Sequence, residues 1–353
     1  MIVPPGSTIG IVGGGQLGRM LSLAAAQLGY RTHIFDPHER PCAADVAAYH
    51  SQAAFDDLGA LERFAGAVDV ATYEFENLPV EPLGIVGDKL RPGAKSLAIA
   101  QDRAREKQFI ADSGARIAPW VAIASLADVE AAVDRLGVPL VLKTRRYGYD
   151  GKGQAWIRTP AEAASAWAAI GEEAAIAEAG VAFDAEFSVI LARCADGAHA
   201  FWDSAENRHE DGILRRSTVP AGEAVLAQVA EARSFALAIA AALDHVGVLT
   251  VEFFASADGP VVNEIAPRVH NSGHWTIEGA QTSQFEQHVR AICGLPLGSP
   301  ALIGRGAVMD NLIGEEVLDW QRFAAEPGLH VHLYGKGDPR PGRKMGHVTR
   351  VGA

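Results

Sequence analysis

Cysteine is scarce in this 353-residue chain: Cys42, Cys194 and Cys293 stand far apart, with no C-x-x-C pair. That spacing offers neither a disulfide framework nor a thiolate zinc site, and it suits a reducing cytosol. Basic charge is short as well. With 31 Lys+Arg against 43 Asp+Glu the formal net charge is −12, which argues against the broad basic face of a nucleic-acid binder but leaves room for a local basic pocket. No apolar run approaches the roughly 18 residues of a membrane span. No basic n-region precedes an apolar stretch, so no secretory signal is expected. Repeats and low-complexity linkers are lacking. The chain reads as cytoplasmic, with neither membrane nor nucleic acid as a partner. What is present is ordinary globular composition, 48% hydrophobic and 21% charged, at a length that suits two or three domains.

Thr8–Val12 reads as a buried strand, followed by the loop Gly13-Gly14-Gly15-Gln16-Leu17-Gly18, an Ala/Leu-rich helix to about Leu28, and a strand Arg31–Phe35 ending at Asp36. This is formally the dinucleotide fingerprint, G-x-G-x-x-G with an acid about 20 residues on. Three readings stay open: NAD binding, another phosphate or substrate edge on the loop amides, or only a tight strand-to-helix turn. Helix Leu58–Ala65 and strand Val68–Tyr73 continue a doubly wound α/β unit that closes near residue 97. Glu74 follows that strand's carboxyl end, where open α/β sheets bind ligands; otherwise it is a surface acid.

A helix of alternating charge, Gln101–Lys107, then an amphipathic helix, Asp128–Leu136, lead to the strand Pro139–Lys143. The run Arg145–Gln154 puts Gly148, Gly151 and Gly153 among basic and hydroxyl side chains. It reads as a loop closing over phosphates, or as a plain hairpin loop; no G-K-[ST] ends it, so it is not a Walker A. A strand Ala174–Glu178, antiparallel strands Glu186–Leu191 and His199–Trp202, a polar loop Glu206–Leu214 with His209 at the surface, and a helix Gly222–Leu243 follow. Beyond residue 295 small strands and turns carry Lys336, Arg340, Arg343, Lys344 and Arg350, an anion pocket rather than a solvated tail.

Val248–Thr276, VLTVEFFASADGPVVNEIAPRVHNSGHWT, is the most informative stretch. Two β-branched runs flank a Ser-Ala-Asp-Gly-Pro turn, which predicts a β-hairpin. Centring the turn on Asp258 sets Glu252 opposite Glu264, and cross-strand partners lie about 5 Å apart on one face. Carboxylates that close repel unless a cation sits between them. The polar run after them, with Arg268, His270, Asn271 and Ser272, points to a reaction centre beside a divalent cation.

Six stretches resemble one family, in its order and through nearly the whole chain: Gly13–Met20 (GGGQLGRM), Thr72–Asn77 (TYEFEN), Tyr147–Gly153 (YGYDGKG), Asp211–Leu214 (DGIL), Asn263–Thr276 (NEIAPRVHNSGHWT) and Arg340–His347 (RPGRKMGH). They look like the ATP-grasp superfamily, closest to the N5-carboxyaminoimidazole ribonucleotide synthetases of bacterial and fungal purine synthesis. The resemblance implies an α/β fold (α+β overall): a Rossmann-like pre-ATP-grasp domain over 1–97, an ATP-grasp domain of two sheets over 98–295 with a lid at about 115–177, and a small C-terminal domain over 296–353. It implies a ligase that carboxylates aminoimidazole ribonucleotide with bicarbonate and ATP through carboxyphosphate, uses magnesium (or manganese), and forms a homodimer.

Carried over by position, Arg103 and Lys143 contact the ATP phosphates beneath the loop of Tyr147, Gly148, Gly151 and Gly153. Glu178, Ala179, Gly180 and Val181 form the adenine hinge through backbone groups, Glu186 holds the ribose, and His209 and Asn263 complete the nucleotide site. Glu252 and Glu264 hold the metal; Ala266 stands where related members have an asparagine, leaving that place to water or phosphate oxygen. Arg268 and His270 cradle bicarbonate, and Tyr149, Asp150 and Lys152 close over the intermediate. Gln16, Leu17, Glu74, Asn271 and Ser272 face the aminoimidazole nucleotide, with Lys336, Arg343 and Lys344 on its phosphate. An NAD-dependent oxidoreductase would leave the paired glutamates, glycine loop and basic C-terminus without roles. Among other ATP-grasp enzymes, HNSGHWT and GYDGKG favour this family over a formate-using transformylase or a biotin carboxylase. A nucleotide sensor on the same fold would not need the reaction-centre residues.

Overall fold

The computed structural model describes residues 2–148 and 151–352. Its first sheet is parallel, ordered β3-β2-β1-β4 from β1 (Thr8–Val12), β2 (Arg31–Asp36), β3 (Tyr49–Gln52) and β4 (Val70–Tyr73). Every residue of β1 and of β4 is buried, as a parallel strand covered on both faces requires. The helices Gln16–Gln27 and Leu58–Ala67 supply much of that cover.

A second sheet, ordered β5-β8-β6-β7, is built from β5 (Trp120–Ile123), β6 (Leu140–Thr144), β7 (Gln154–Ile157) and β8 (Ala175–Ala179). Helices Leu126–Leu136 and Ala163–Ala169 pack on it around Val129, Leu140, Leu142 and Trp167. This unit lies within the expected lid.

The third sheet has nine strands: β9 (Ala185–Arg193), β10 (His199–Phe201), β11 (Ala205–Glu210), β12 (Ile213–Val219), β13 (Gly247–Ser256), β14 (Gly259–Ala266), β15 (Gly306–Ile313), β16 (Leu329–Leu333) and β17 (Lys344–Gly352). The order is β14-β13-β9-β11-β12-β15-β17-β16, with β10 on β9. The strands and turns expected beyond residue 295 are present, but they prolong this sheet rather than build one of their own.

Two sequence expectations are corrected. Glu206–Leu214 is not a loop but the β11–β12 hairpin, turned by Asp211 (φ 50°) and Gly212 (φ 76°). Positive φ at both central residues is the turn that matches strand twist. Its inward positions, Ala205, Asn207 and His209, are largely polar, so the period-2 signal carried no hydrophobic contrast. The helix expected over Gly222–Leu243 is two helices, Glu223–Leu226 and Val229–Ala242.

The first sheet and the nine-stranded sheet share one core, in which Ile9, Leu21 and Ile34 meet Trp202, Trp275, Phe285 and Val289. Thr72 Oγ1 lies 2.8 Å from His288 Nε2 across that junction. A separate core under β13 stacks Phe187 on Phe253, centroids 5.2 Å apart. Phe253 adjoins Glu252 in sequence, so this stack anchors the glutamate strand. Phe253→Ala is expected to cost about 3–5 kcal/mol, read as a lower urea midpoint with an unchanged slope; a midpoint shift within error would show that the stack anchors nothing.

Candidate active site

A cleft of about 1130 Å³ opens between the four-stranded sheet and the β13–β14 end of the large one. Its floor is the predicted hairpin. The turn is two residues, Ala257 and Asp258, with Ser256 paired to Gly259, and a bulge between Glu252 and Phe253 leaves Asn263 as the extra residue. That bulge, rather than a turn centred on Asp258, sets Glu252 opposite Glu264.

Each glutamate has a close side-chain partner. Arg103 Nη1 donates to Glu264 Oε2 at 3.0 Å, and His270 Nε2 lies 3.0 Å from Glu252 Oε1. Ser272 N donates to His270 Nδ1 at 3.3 Å, and Ser272 Oγ lies 2.8 Å from it. With Nδ1 accepting, the ring carries its proton on Nε2, aimed at Glu252. Ser272 Oγ in turn sits 2.9 Å from Ser188 Oγ, which accepts from Asn207 Nδ2 at 2.7 Å. Beneath Glu264, buried Glu106 accepts from Ile265 N at 2.7 Å. Burial, reinforced by the charge of Glu264, pushes its carboxyl up to about 8.

Helix Arg103–Asp112 begins at Asp102, whose carboxylate accepts from Ala104 N and from Arg145 at 2.7 and 3.1 Å. The cap thus ties the base of the glycine loop to the helix that presents Arg103. Glu178, at the end of β8, lies 2.5 Å from Lys107 Nζ and 2.6 Å from Lys143 Nζ. Burial alone would raise its pKa, but Lys107 and then Lys143 outweigh it and hold it down to about 2. Glu186 pairs with His209. Burial lowers the histidine's affinity for its proton, and the bond to Glu186 with the charge of Glu252 more than restores it, so the ring's pKa is raised.

In the opening glycine loop the amides of Gly14, Gly15, Leu17 and Gly18 are taken by carboxylates. Glu74 accepts from Gly15 N at 2.7 Å and from Leu17 N and Gly18 N at 3.1 Å, while Asp36 accepts from Gly14 N at 2.8 Å. A Cβ on Gly15 would come within 2.5 Å of Glu74 Oε1. A dinucleotide pyrophosphate would need those same amides, and the fingerprint acid, Asp36, is spent on the loop instead of a ribose. The dinucleotide reading therefore fails, while the loop packs tightly on Glu74 and sends Gln16 and Leu17 to the cleft.

On the far wall, Arg268 pairs with Glu76 at 2.6 Å, and Arg343 Nη1 donates to the Lys336 carbonyl at 3.1 Å. Burial, opposed by nearby Glu74 among others, lowers the Lys336 ammonium to about 8.

Three family models match in chain order: the ribonucleotide synthetase preATP-grasp domain over residues 6–101, the ATP-grasp domain over 108–285, and the phosphoribosylaminoimidazole carboxylase C-terminal domain over 307–353. The N5-carboxyaminoimidazole ribonucleotide synthase of Brucella melitensis biotype 1 is 50% identical, covering 98% of this chain and 97% of its own. The chain belongs to the N5-carboxyaminoimidazole ribonucleotide synthase family. The synthetase structure from Thermus thermophilus superposes with a TM-score of 0.91 at 47% identity, covering 97% of this chain and 93% of that one. The Aspergillus clavatus synthase in complex with ADP and 5-aminoimidazole ribonucleotide gives a TM-score of 0.91 at 30% identity, over 98% and 93% of the two chains.

The cleft gathers most of the residues singled out from the family's motifs. Gln16, Leu17, Glu74, Arg103, Lys143, Tyr147, Gly148, Gly151, Lys152, the 178–181 segment, Glu186, His209, Glu252, Asn263, Glu264, Arg268, His270, Asn271, Lys336, Arg343 and Lys344 all line it. Tyr149 and Asp150 lie outside the described residues. Four residues have contacts that their motifs did not announce. Ser272 is fully buried behind His270 and serves that ring, not the substrate. Asn271 reaches the cleft, but its amide is exchanged with that of Asn311 at 2.7 and 2.9 Å. Gly153 backs onto Thr144, where a Cβ would meet Oγ1 at 2.5 Å. Arg350, grouped with the basic C-terminal run, pairs instead with Glu326 outside the cleft. Sequence reading assigned no role to Lys107, which closes the helix of alternating charge, or to Glu76, which lies inside the TYEFEN motif.

Mg–ATP at about 100 times its dissociation constant should stabilise the protein by about 2.7 kcal/mol, whereas the loop amides that a dinucleotide would need are occupied. NADH should leave the melting temperature unmoved; a rise with NADH in a thermal-shift assay would reopen the dinucleotide reading.

Proposed function

We propose that this chain carboxylates 5-aminoimidazole ribonucleotide to N5-carboxyaminoimidazole ribonucleotide, using bicarbonate and ATP and releasing ADP and phosphate. One observation carries the reading. The opposed pair Glu252 and Glu264, the Lys143 ammonium and the basic 336–344 segment line a single cleft in a member of this synthase family.

The metal site is tested by its donor set. Among the described residues no group of three or more His, Cys, Asp or Glu is arranged to hold an ion, so Glu252 and Glu264 supply two carboxylates and the rest must come from outside the protein. Magnesium suits such a place, since it is commonly held by one or two carboxylates with substrate phosphates and water. When bound, it neutralises charge on the phosphates.

Phosphoryl transfer is mainly positioning and charge neutralisation. Lys143 and Arg103 face the transferred phosphoryl group, and the 178–181 segment receives the adenine through its backbone. Arg268, oriented by Glu76, presents a planar fork to bicarbonate. A bicarbonate oxygen attacks the γ-phosphorus of ATP, the bond to the β–γ bridging oxygen breaks, and carboxyphosphate and ADP result. The exocyclic amine of the ribonucleotide then attacks the carboxyl carbon, expelling phosphate and losing a proton. Lys336, Arg343 and Lys344 hold the ribonucleotide's phosphate. The glycine loop, seated where Gly151 meets the Asp211–Gly212 turn, covers the intermediate and keeps water out. The chain works as a homodimer in the cytoplasm; no helix among its described residues is long and apolar enough to cross a membrane.

ATP hydrolysis measured with and without aminoimidazole ribonucleotide and bicarbonate tests the whole reading, because phosphate release should require both. Glu264→Gln should fold yet lose that release by at least about a hundredfold; retained turnover would remove the metal assignment. The free enzyme's kcat/KM for the ribonucleotide should fall as pH rises through about 8, where Lys336 gives up its proton. Lys336→Arg should abolish that limb of the profile. An unchanged limb in the arginine variant would exclude Lys336 as its source.

A further inference from the structure

Lys107 has no part in the chemistry above, yet its side chain is only 1% exposed at the heart of the site. Its ammonium lies 2.5 Å from Glu178 Oε1 and donates to the Asn263 carbonyl at 2.6 Å. Lys143 approaches the other Glu178 oxygen at 2.6 Å and the Asn263 Oδ1 at 3.2 Å, but it is 12% exposed and faces the cleft. One buried carboxylate is therefore shared by two ammonium groups, leaving a net charge of +1. Lys143 cannot turn to a nucleotide if its departure strands Glu178, because a buried charge without its partner is strongly unfavourable. Lys107 is walled in and stays.

We propose that Lys107 is a positioning residue, the standing counter-cation of Glu178, which releases Lys143 to the phosphates of the nucleotide. The inference rests on the placement of Lys143 at those phosphates. The electrostatics run the same way. Burial disfavours the Lys143 ammonium, and repulsion from Lys107 and Arg103 adds to that against the pull of Glu178, so its pKa is lowered. Of the two cations, Lys143 is the one open to the cleft, 12% exposed against 1% for Lys107, and the ligand it meets on leaving is an anion.

Without Lys107, Lys143 becomes the only partner of Glu178 and is captured by it. Lys107→Met should therefore weaken ATP binding by about tenfold or more in calorimetric titration of Mg–ATP, with the KM for the ribonucleotide within about twofold. Lys107→Arg should recover part of the loss. A folded K107M enzyme that binds ATP as the parent does would overturn the proposal. The capture mechanism also makes the effect conditional on the charge of Glu178. Glu178→Gln and the double variant K107M/E178Q should bind ATP alike within about threefold, whereas a lysine that is merely structural would matter equally in both backgrounds. This second comparison decides the matter if K107M alone does not fold, and a gap of tenfold between the two would overturn the proposal. Lys143→Met separates the layers: unchanged ATP affinity there removes the placement of Lys143 itself, while a large loss there with no effect of K107M removes only the role of Lys107.

Discussion

The site depends on one extra residue in β14. Along the hairpin from Ser256 to Phe253 the pairing would continue to set Glu252 against Asn263 and turn Glu264 toward the core behind Val251. The bulge at Asn263 shifts the register by one, and because side chains alternate faces, one residue is enough to move Glu264 onto the cleft face. The bulged residue is gripped from the other side of the cleft, its carbonyl by Lys107 and its amide oxygen by Lys143. The carboxylate pair and the lysines beside it are consequently one mechanical unit.

Charge in the cleft is distributed on the same plan. Glu264 meets Arg103, Glu252 meets His270, Glu76 meets Arg268, Glu186 meets His209, and Glu178 meets two lysines. The partners come from separate elements of the chain in nearly every pair. In a protein of net charge −12, such pairing holds the carboxylates in place, and it keeps donors ready to exchange a carboxylate for a phosphate or bicarbonate oxygen. The N-terminal loop obeys a different rule. There the carboxylates of Glu74 and Asp36 satisfy backbone amides directly, so a sequence that formally matches a dinucleotide fingerprint does not offer those amides to a pyrophosphate.

Much of this was legible beforehand where the local signal was strong. The β-branched runs around Asp258-Gly259 specify a hairpin, and the glycines between Tyr147 and Gly153 specify a loop, because turn chemistry and strand alternation are local properties. The β11–β12 hairpin was missed because its inner face carries Asn207 and His209 in place of apolar residues. Lys107 was missed because a lysine in a helix of alternating charge looks solvated. Ser272 was misassigned because a serine inside a specific motif can serve either the ligand or the residue beside it, and only its contacts distinguish the two.

The sequence by itself determined the parts: a doubly wound first unit, a carboxylate pair near a turn, a glycine-rich loop, a basic C-terminal run, and the motifs that place them in one synthase family. Tertiary structure decided the partnerships. Lys107 and Asn263 are 156 positions apart, and Arg103 and Glu264 are 161 apart. Such charge pairs are set by sheet register and by the packing of one layer on another, and neither leaves a trace in local propensity or spacing. The bulge at Asn263 shows the same division at its smallest scale. The turn residues announced a hairpin with Glu252 opposite Glu264, but the offset that brings the two face to face comes from a bulge and not from the turn centre, and that was settled only when the strands had docked.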